Sequence, residues 1–186
     1  MRFGRKESAS FFASSFVSNR SGMLVGPATA RHTATVIFHH GFGATATDWT
    51  VLASIYPALS QTKFLFPQAP LRPITIAGGQ RIPAWFDILQ QSHGKREKDG
   101  DEDEVGMREA IRELEKLILK EVEAGIPVER IVIGGFSQGA GLVALQGAIG
   151  KVDGLAGICM LSGYVPLSWK VKAVSDRSSS FKRHVG

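Results

Sequence analysis

Cysteine is nearly absent: Cys159 is the only one in 186 residues. That excludes an internal disulfide framework and any cysteine-rich zinc site. Long apolar runs are missing too. None approaches the roughly 18 residues a membrane span needs, so the sequence predicts no integral membrane segment. Metal-ligand spacing is lacking as well. His39 and His40 are neighbours on one expected strand, and no further His or Cys is spaced to join them, so no metal is expected. No stretch of the chain repeats another. A large charge of one sign is also missing from the body of the chain. The formal charge is +5, but residues 1–32 and 168–186 each carry five Arg/Lys against one acid, while residues 33–167 hold twelve bases and fifteen acids. A basic excess confined to the ends is not the footprint of a nucleic-acid-binding face, and no nucleic-acid partner is expected.

What remains is a chain of globular composition, 44% hydrophobic and 21% charged, long enough for one packed domain. Residues 1–22 are rich in Ser, Arg and Phe. They read as a poorly ordered N-terminal extension, although the composition also fits an organelle transit peptide. From residue 23 the pattern changes. Short apolar runs at 23–25, 33–38, 63–66, 130–134 and 154–161 predict strands, those at 33–38, 130–134 and 154–161 of buried type, the last becoming an apolar edge where no further strand follows. Apolar residues at helical spacing predict helices over 47–59, 105–124 and 138–149. The second of these carries Ala110, Ile111, Leu114, Leu117, Ile118 and Val122 on its apolar stripe. Pro67, Pro70, Pro73 and Pro83 argue against any regular element over 67–83. Residues 94–104, GKREKDGDEDE, predict a solvated loop. Near-continuous apolar strands alternating with helices predict an α/β fold: a mostly parallel sheet with helices on both faces.

Chemistry concentrates at Gly135-Phe136-Ser137-Gln138-Gly139. The five letters G-x-S-x-G alone are weak, but here an apolar strand runs straight into the serine and a helix straight out. This is the setting of a nucleophile elbow, in which a strained turn lifts the hydroxyl clear of the sheet. Glycines on either side remove side chains that would collide across so sharp a turn. The following helix N-terminus places partial positive charge near a developing oxyanion. A second strand ends in His40-Gly41-Phe42-Gly43, a glycine-bordered turn of the kind that offers backbone N–H groups. The N–H groups of Phe42 and Gln138 are the expected oxyanion donors. Gly139-Ala140-Gly141-Leu142-Val143-Ala144 also matches a loose dinucleotide fingerprint. Its first glycine falls inside the expected helix, and Cys159 stands where an acid is required, so these glycines predict close helix–sheet packing instead. Trp49 reads as a core residue, and Cys159 as an inert thiol on a buried strand.

The stretches ATVIFHHGFGATATDW, FLFPQAPLRPIT, IPAWFDI, GIPVERIVIGGFSQGAG and LAGICMLSGYVPL resemble the acyl-protein thioesterases and related small carboxylesterases and lysophospholipases of the α/β-hydrolase fold. They span residues 23–167, in that family's order. The resemblance implies an α/β-hydrolase domain over 23–167 with Ser137 as nucleophile and Phe42 and Gln138 as oxyanion donors. It places the proline-rich loop and Trp85 beside the acyl-binding site. It implies a cofactor-free hydrolase of acyl thioesters or carboxylic esters, acting on an acylated protein or a small lipid-like ester. The expected location is the cytoplasm, with transient contact at a membrane surface.

One part of the pattern is not found. A serine elbow needs an acid and a histidine later in the chain. After Ser137 come only Asp153, Asp176 and His184. Asp153 falls too early, and the other two lie in a basic, serine-rich tail at 168–186 unlike the family. The sequence therefore reads as a C-terminally shortened hydrolase whose triad Asp and His are missing. The alternative is a non-catalytic product that retains at most acyl-chain binding. Residues 1–22 and those past about 170 carry no apolar period and predict no packed contacts.

Overall fold

The computed structural model describes residues 16–18, 22–26, 28–55, 59–89 and 102–172. Eight strands form. They are β1 (Val17–Ser18), β2 (Leu24–Gly26), β3 (Ala34–His39), β4 (Thr62–Phe66), β5 (Leu71–Ile74), β6 (Gln80–Pro83), β7 (Ile131–Phe136) and β8 (Gly157–Leu161). The longer stretches between them form α-helices α1 (Leu52–Ile55), α2 (Glu104–Glu123) and α3 (Gln138–Ile149). Six strands make one sheet in the order β1-β2-β4-β3-β7-β8. From β4 to β8 every pairing is parallel, and β1 and β2 add antiparallel partners at one edge.

Side chains alternate across this sheet, as the pleat requires. Ile37, Leu65, Ile131 and Ile133 face α2 and α3 and pack with Met107, Leu114, Ile118, Leu142 and Leu145. Phe38, Phe64 and Phe66 face the other way, toward Ala46, Trp49 and Leu52. Both faces are thus covered, the condition under which parallel strands read as unbroken apolar runs.

Several elements differ from expectation. The helix expected over 47–59 is a 3₁₀ turn, Ala46–Trp49, followed by the single turn of α1, and residues 56–58 lie outside the described set. The Thr45 N–H donates to Asp48 Oδ2 at 2.8 Å, and the Thr50 N–H and hydroxyl both turn back to the Thr47 carbonyl. These tight local bonds close the turn early while Trp49 packs on Phe38 and Phe136. The proline-rich stretch is not irregular: β5 and β6 pair as an antiparallel ribbon. Pro73 lies opposite Arg81 and Pro83 opposite Leu71. These two pairs share one phase of the ladder, the one that requires no inward N–H from the proline.

On α2 the stripe ends differently, since Glu121 is buried and Val122 is exposed. Asp103 caps this helix, its Oδ1 accepting the Gly106 N–H at 2.9 Å. β8 is an edge strand among the described residues, with exposed Ile158, Met160 and Leu161, and Cys159 is exposed rather than buried. Its one neighbour is β7.

The chain past Leu167 is docked at its start. Residues 168–172 are helical, Leu167 and Val171 pack against the larger core, and Lys170 pairs with Glu104. Two apolar side chains four residues apart present one face of that turn to the core. Residues 1–15 and 173–186, and most of the expected loop at 94–104, lie outside the described residues.

Candidate active site

β7 delivers Ser137 to the carboxyl end of the sheet, and α3 starts at the next residue. The serine has φ 52° and ψ −113°, a conformation that costs a non-glycine residue about 1–3 kcal/mol. Its neighbours hold it there. The Ser137 N–H donates to the Leu161 carbonyl at 2.9 Å, and the Ser137 carbonyl accepts the Gly141 N–H at 3.1 Å. The flanking glycines are sterically required. A Cβ on Gly135 would stand 2.3 Å from the Gly139 carbonyl carbon, and one on Gly139 would stand 2.3 Å from the His39 carbonyl oxygen.

The turn after β3 meets the elbow directly. A Cβ on Gly41 would lie 3.3 Å from Ser137 Cβ. Phe42, half-buried, is one peptide further on, about 3.8 Å along the Cα trace. Neither the Phe42 N–H nor the Gln138 N–H meets an acceptor among the described residues. Gln138 is the first residue of α3, so its N–H is one of the four a helix leaves unpaired, at the positive end of the helix dipole. The structure thus brings Ser137, the turn carrying Phe42, and Gln138 together at one end of the sheet.

Trp85 lies immediately beneath. Its backbone N–H donates to Gln138 Oε1 at 2.8 Å, and its indole Nε1–H donates to the His40 carbonyl at 2.7 Å. Gln138 Nε2 in turn donates to the Phe86 carbonyl at 2.8 Å. Trp85 is buried and forms part of the wall of a cavity of about 620 Å³, together with Met23, His39, Ala69, Leu114 and Leu117. Ser137 is not on that wall.

Neither histidine beside the elbow is placed to serve Ser137 as a base. His39 is fully buried, and burial lowers its pKa from 6.5 to about 4. Its Nδ1 bonds the Gly134 carbonyl at 3.3 Å. His40 is lowered from 6.5 by the same loss of solvent, with its Nδ1 on the Gly41 carbonyl and its Nε2 on the Ala69 N–H. His32 lies at the opposite end of β3, bonded to Thr35. Asp153 is exposed in the loop before β8, and Asp176 and His184 lie outside the described residues. Among the described residues no group of three or more His, Cys, Asp or Glu could hold a metal ion.

The sequence named Ser137, Phe42, Gln138 and Trp85 as site candidates, but not the hydrogen bonds that the Gln138 amide, the Trp85 indole and the His40 ring make with one another's chain segments. One signal was available. Gln138 opens a helix, QGAGLVALQGAI, whose only other polar side chain is Gln146. A buried amide in such a helix must find partners.

A model of the phospholipase/carboxylesterase family matches residues 21–184. Acyl-protein thioesterase 1 of Yarrowia lipolytica is 42% identical over 144 residues, covering 76% of this chain and 61% of the relative. Its counterpart in Neurospora crassa is 42% identical over 157 residues, covering 83% of this chain and 63% of the relative. The chain therefore spans less than two thirds of the length of these curated relatives. Among solved structures, Zea mays acyl-protein thioesterase 2 superposes with a TM-score of 0.67 at 28% identity, over 81% of this chain and 65% of that one. Arabidopsis thaliana SOBER1 superposes with a TM-score of 0.64 at 27% identity, over 74% of this chain and 64% of that one.

Proposed function

The chain belongs to the phospholipase/carboxylesterase family and has its α/β-hydrolase fold, and from that premise we propose that it carries a serine hydrolase site for acyl thioesters or carboxylic esters. The observation that carries this reading is the convergence of the strained Ser137 with two backbone N–H groups, of Phe42 and Gln138, that lack acceptors among the described residues. Ser137 Oγ attacks the acyl carbonyl, the carbonyl oxygen becomes an oxyanion held by those two N–H groups, and the thiol or alcohol departs. Water then hydrolyses the Ser137 acyl-enzyme. The base and acid of a full triad are not among the described residues. With the described groups alone, the expected rate is only the roughly 10³–10⁴-fold over water that oxyanion stabilisation and binding retain without a triad.

An acylated protein or a lipid-like ester suits the surroundings. Trp85, hydrogen-bonded to Gln138 and to the His40 carbonyl, supports an apolar contact for an acyl chain beside the elbow. The β5–β6 ribbon beside the turn at Gly43 exposes Leu71 and Ile76, which supports transient contact with a membrane surface. No helix among the described residues is long and apolar enough to cross a membrane.

The test is hydrolysis of an octanoyl thioester by the full chain beside Ser137→Ala. Turnover lost in Ser137→Ala supports the reading. Equal rates in the two proteins contradict it, and retained binding without serine-dependent turnover leaves the non-catalytic, acyl-binding alternative.

A further inference from the structure

A peptide unit is planar, so an N–H points opposite to the C=O it is bonded to. The direction of the Phe42 N–H is therefore set by whatever holds the Gly41 carbonyl. That carbonyl is 2.8 Å from His40 Nδ1. The other ring nitrogen fixes the proton. Nε2 lies 3.0 Å from the Ala69 N–H and 3.2 Å from the Gln68 amide nitrogen, and a backbone N–H can only donate. Nε2 is thus the acceptor, and Nδ1 carries the hydrogen that donates to Gly41.

The next peptide back is held as well. The His40 carbonyl accepts the Trp85 indole N–H at 2.7 Å, and Trp85 is tied to α3 through Gln138 Oε1. The Trp85 ring also packs against the His40 ring, centroids 5.1 Å apart. The second oxyanion donor has a matching support. The Gln138 N–H shares its peptide with the Ser137 carbonyl, which accepts the Gly141 N–H. His40 thus does for the Phe42 donor what the helix backbone does for the Gln138 donor.

Building on the serine-hydrolase reading above, we propose that His40 is a positioning residue: its neutral, Nδ1-protonated ring holds the Gly41 carbonyl and thereby aims the Phe42 N–H at the oxyanion formed on Ser137. Trp85 and the Gln138 side chain fix the distance between the two donors by joining the turn to the elbow. Asparagine can replace the ring in this role, because its Nδ2–H occupies the position of the histidine Nδ1–H. Phenylalanine fills similar space and donates nothing.

The experiment uses the ¹⁵N-labelled full chain and butylboronic acid, which forms a tetrahedral boronate anion on an active serine. In the wild type, the amide signals of both Phe42 and Gln138 should move on titration, and neither should move in Ser137→Ala. In His40→Phe, the Gln138 signal should still move, the Phe42 signal should not, and affinity should fall roughly tenfold to a hundredfold, the scale of one hydrogen bond to a charged group. In His40→Asn, the Phe42 response and most of the affinity should return. A Phe42 response unchanged in His40→Phe overturns the proposal and leaves the serine-hydrolase reading standing. Absence of any adduct on wild-type Ser137 overturns both. A measurement on the wild type alone covers the case in which His40→Phe does not fold: the ring ¹⁵N shifts of His40 near neutral pH should report the Nδ1-protonated tautomer. The Nε2-protonated tautomer overturns the proposal, since Nδ1 could not then donate to Gly41.

Discussion

At the scale of single residues, the site depends on atoms that are absent and on one backbone angle that is unfavourable. Ser137 holds φ 52° against its own Cβ, while Gly135 and Gly139 leave room for two backbones to meet. Glycine reaches the mirror-image region without that clash, so relieving the strain should stabilise the fold at the expense of the proposed nucleophile. Ser137→Gly should be more stable than Ser137→Ala by about 1 kcal/mol in urea unfolding, although both lose the hydroxyl. Equal stability would mean that the elbow stores no strain. This part of the site was legible in the sequence, because G-x-S-x-G between an apolar strand and a helix has few other uses. The hydrogen bonds that join His40 and Trp85 to this site were not legible. They reach across 29 residues from His40 to Ala69 and 45 from Trp85 to His40, which no local pattern encodes.

At the scale of elements, the long helix α2 is fastened to the sheet at its far end by a buried charge. The Glu121 carboxylate accepts the Thr35 hydroxyl at 2.8 Å and the Lys63 ammonium at 2.6 Å, and His32 donates onto the same threonine. These partners come from β3, β4 and the chain just before β3, so one side chain ties a helix to two parallel strands. Deleting one partner of a buried pair commonly costs about 3–5 kcal/mol. Lys63 can turn its partly exposed ammonium to water, so Glu121→Ala should cost about 2 kcal/mol, and Glu121→Gln, which keeps acceptor oxygen for Thr35, clearly less. Urea midpoints of the two variants check this. The helical period placed α2 correctly to within a residue but named Val122 as part of the apolar stripe, because a charged residue at a core-facing position reads as solvent-facing until its partners are known. The Pro-rich ribbon was missed for a related reason. Proline forbids an inner strand, but the ladder has a phase that does not use its nitrogen, and register is not visible in composition.

At the scale of the whole molecule, the two buried histidines make stability depend on pH. His39 has its pKa lowered to about 4 in the folded chain by burial, against 6.5 when exposed, and His40 is lowered by the same cause. Below pH 6.5 the unfolded chain takes up protons that the folded chain refuses. Stability is therefore complete above about 6.5 and falls as the pH drops toward 4, by about 1.4 kcal/mol per unit for each histidine that stays neutral. The Glu104 carboxyl, held below its usual 4.5 by hydrogen bonds from Lys170 and Arg108, contributes stability that is lost only at lower pH. Thermal melts between pH 7 and 4.5 should show this slope, and His39→Phe should flatten it. An unchanged slope in that variant would mean that His39 is not the group being titrated.

The central claim is that Ser137 is the reactive nucleophile of this fold, and mapping a fluorophosphonate adduct by mass spectrometry tests it most directly. The account predicts one adduct, formed weakly where no base pairs with the serine, on the peptide bearing Ser137 and absent from Ser137→Ala. An unmodified Ser137, or equal labelling of the Ser137→Ala chain, would contradict it.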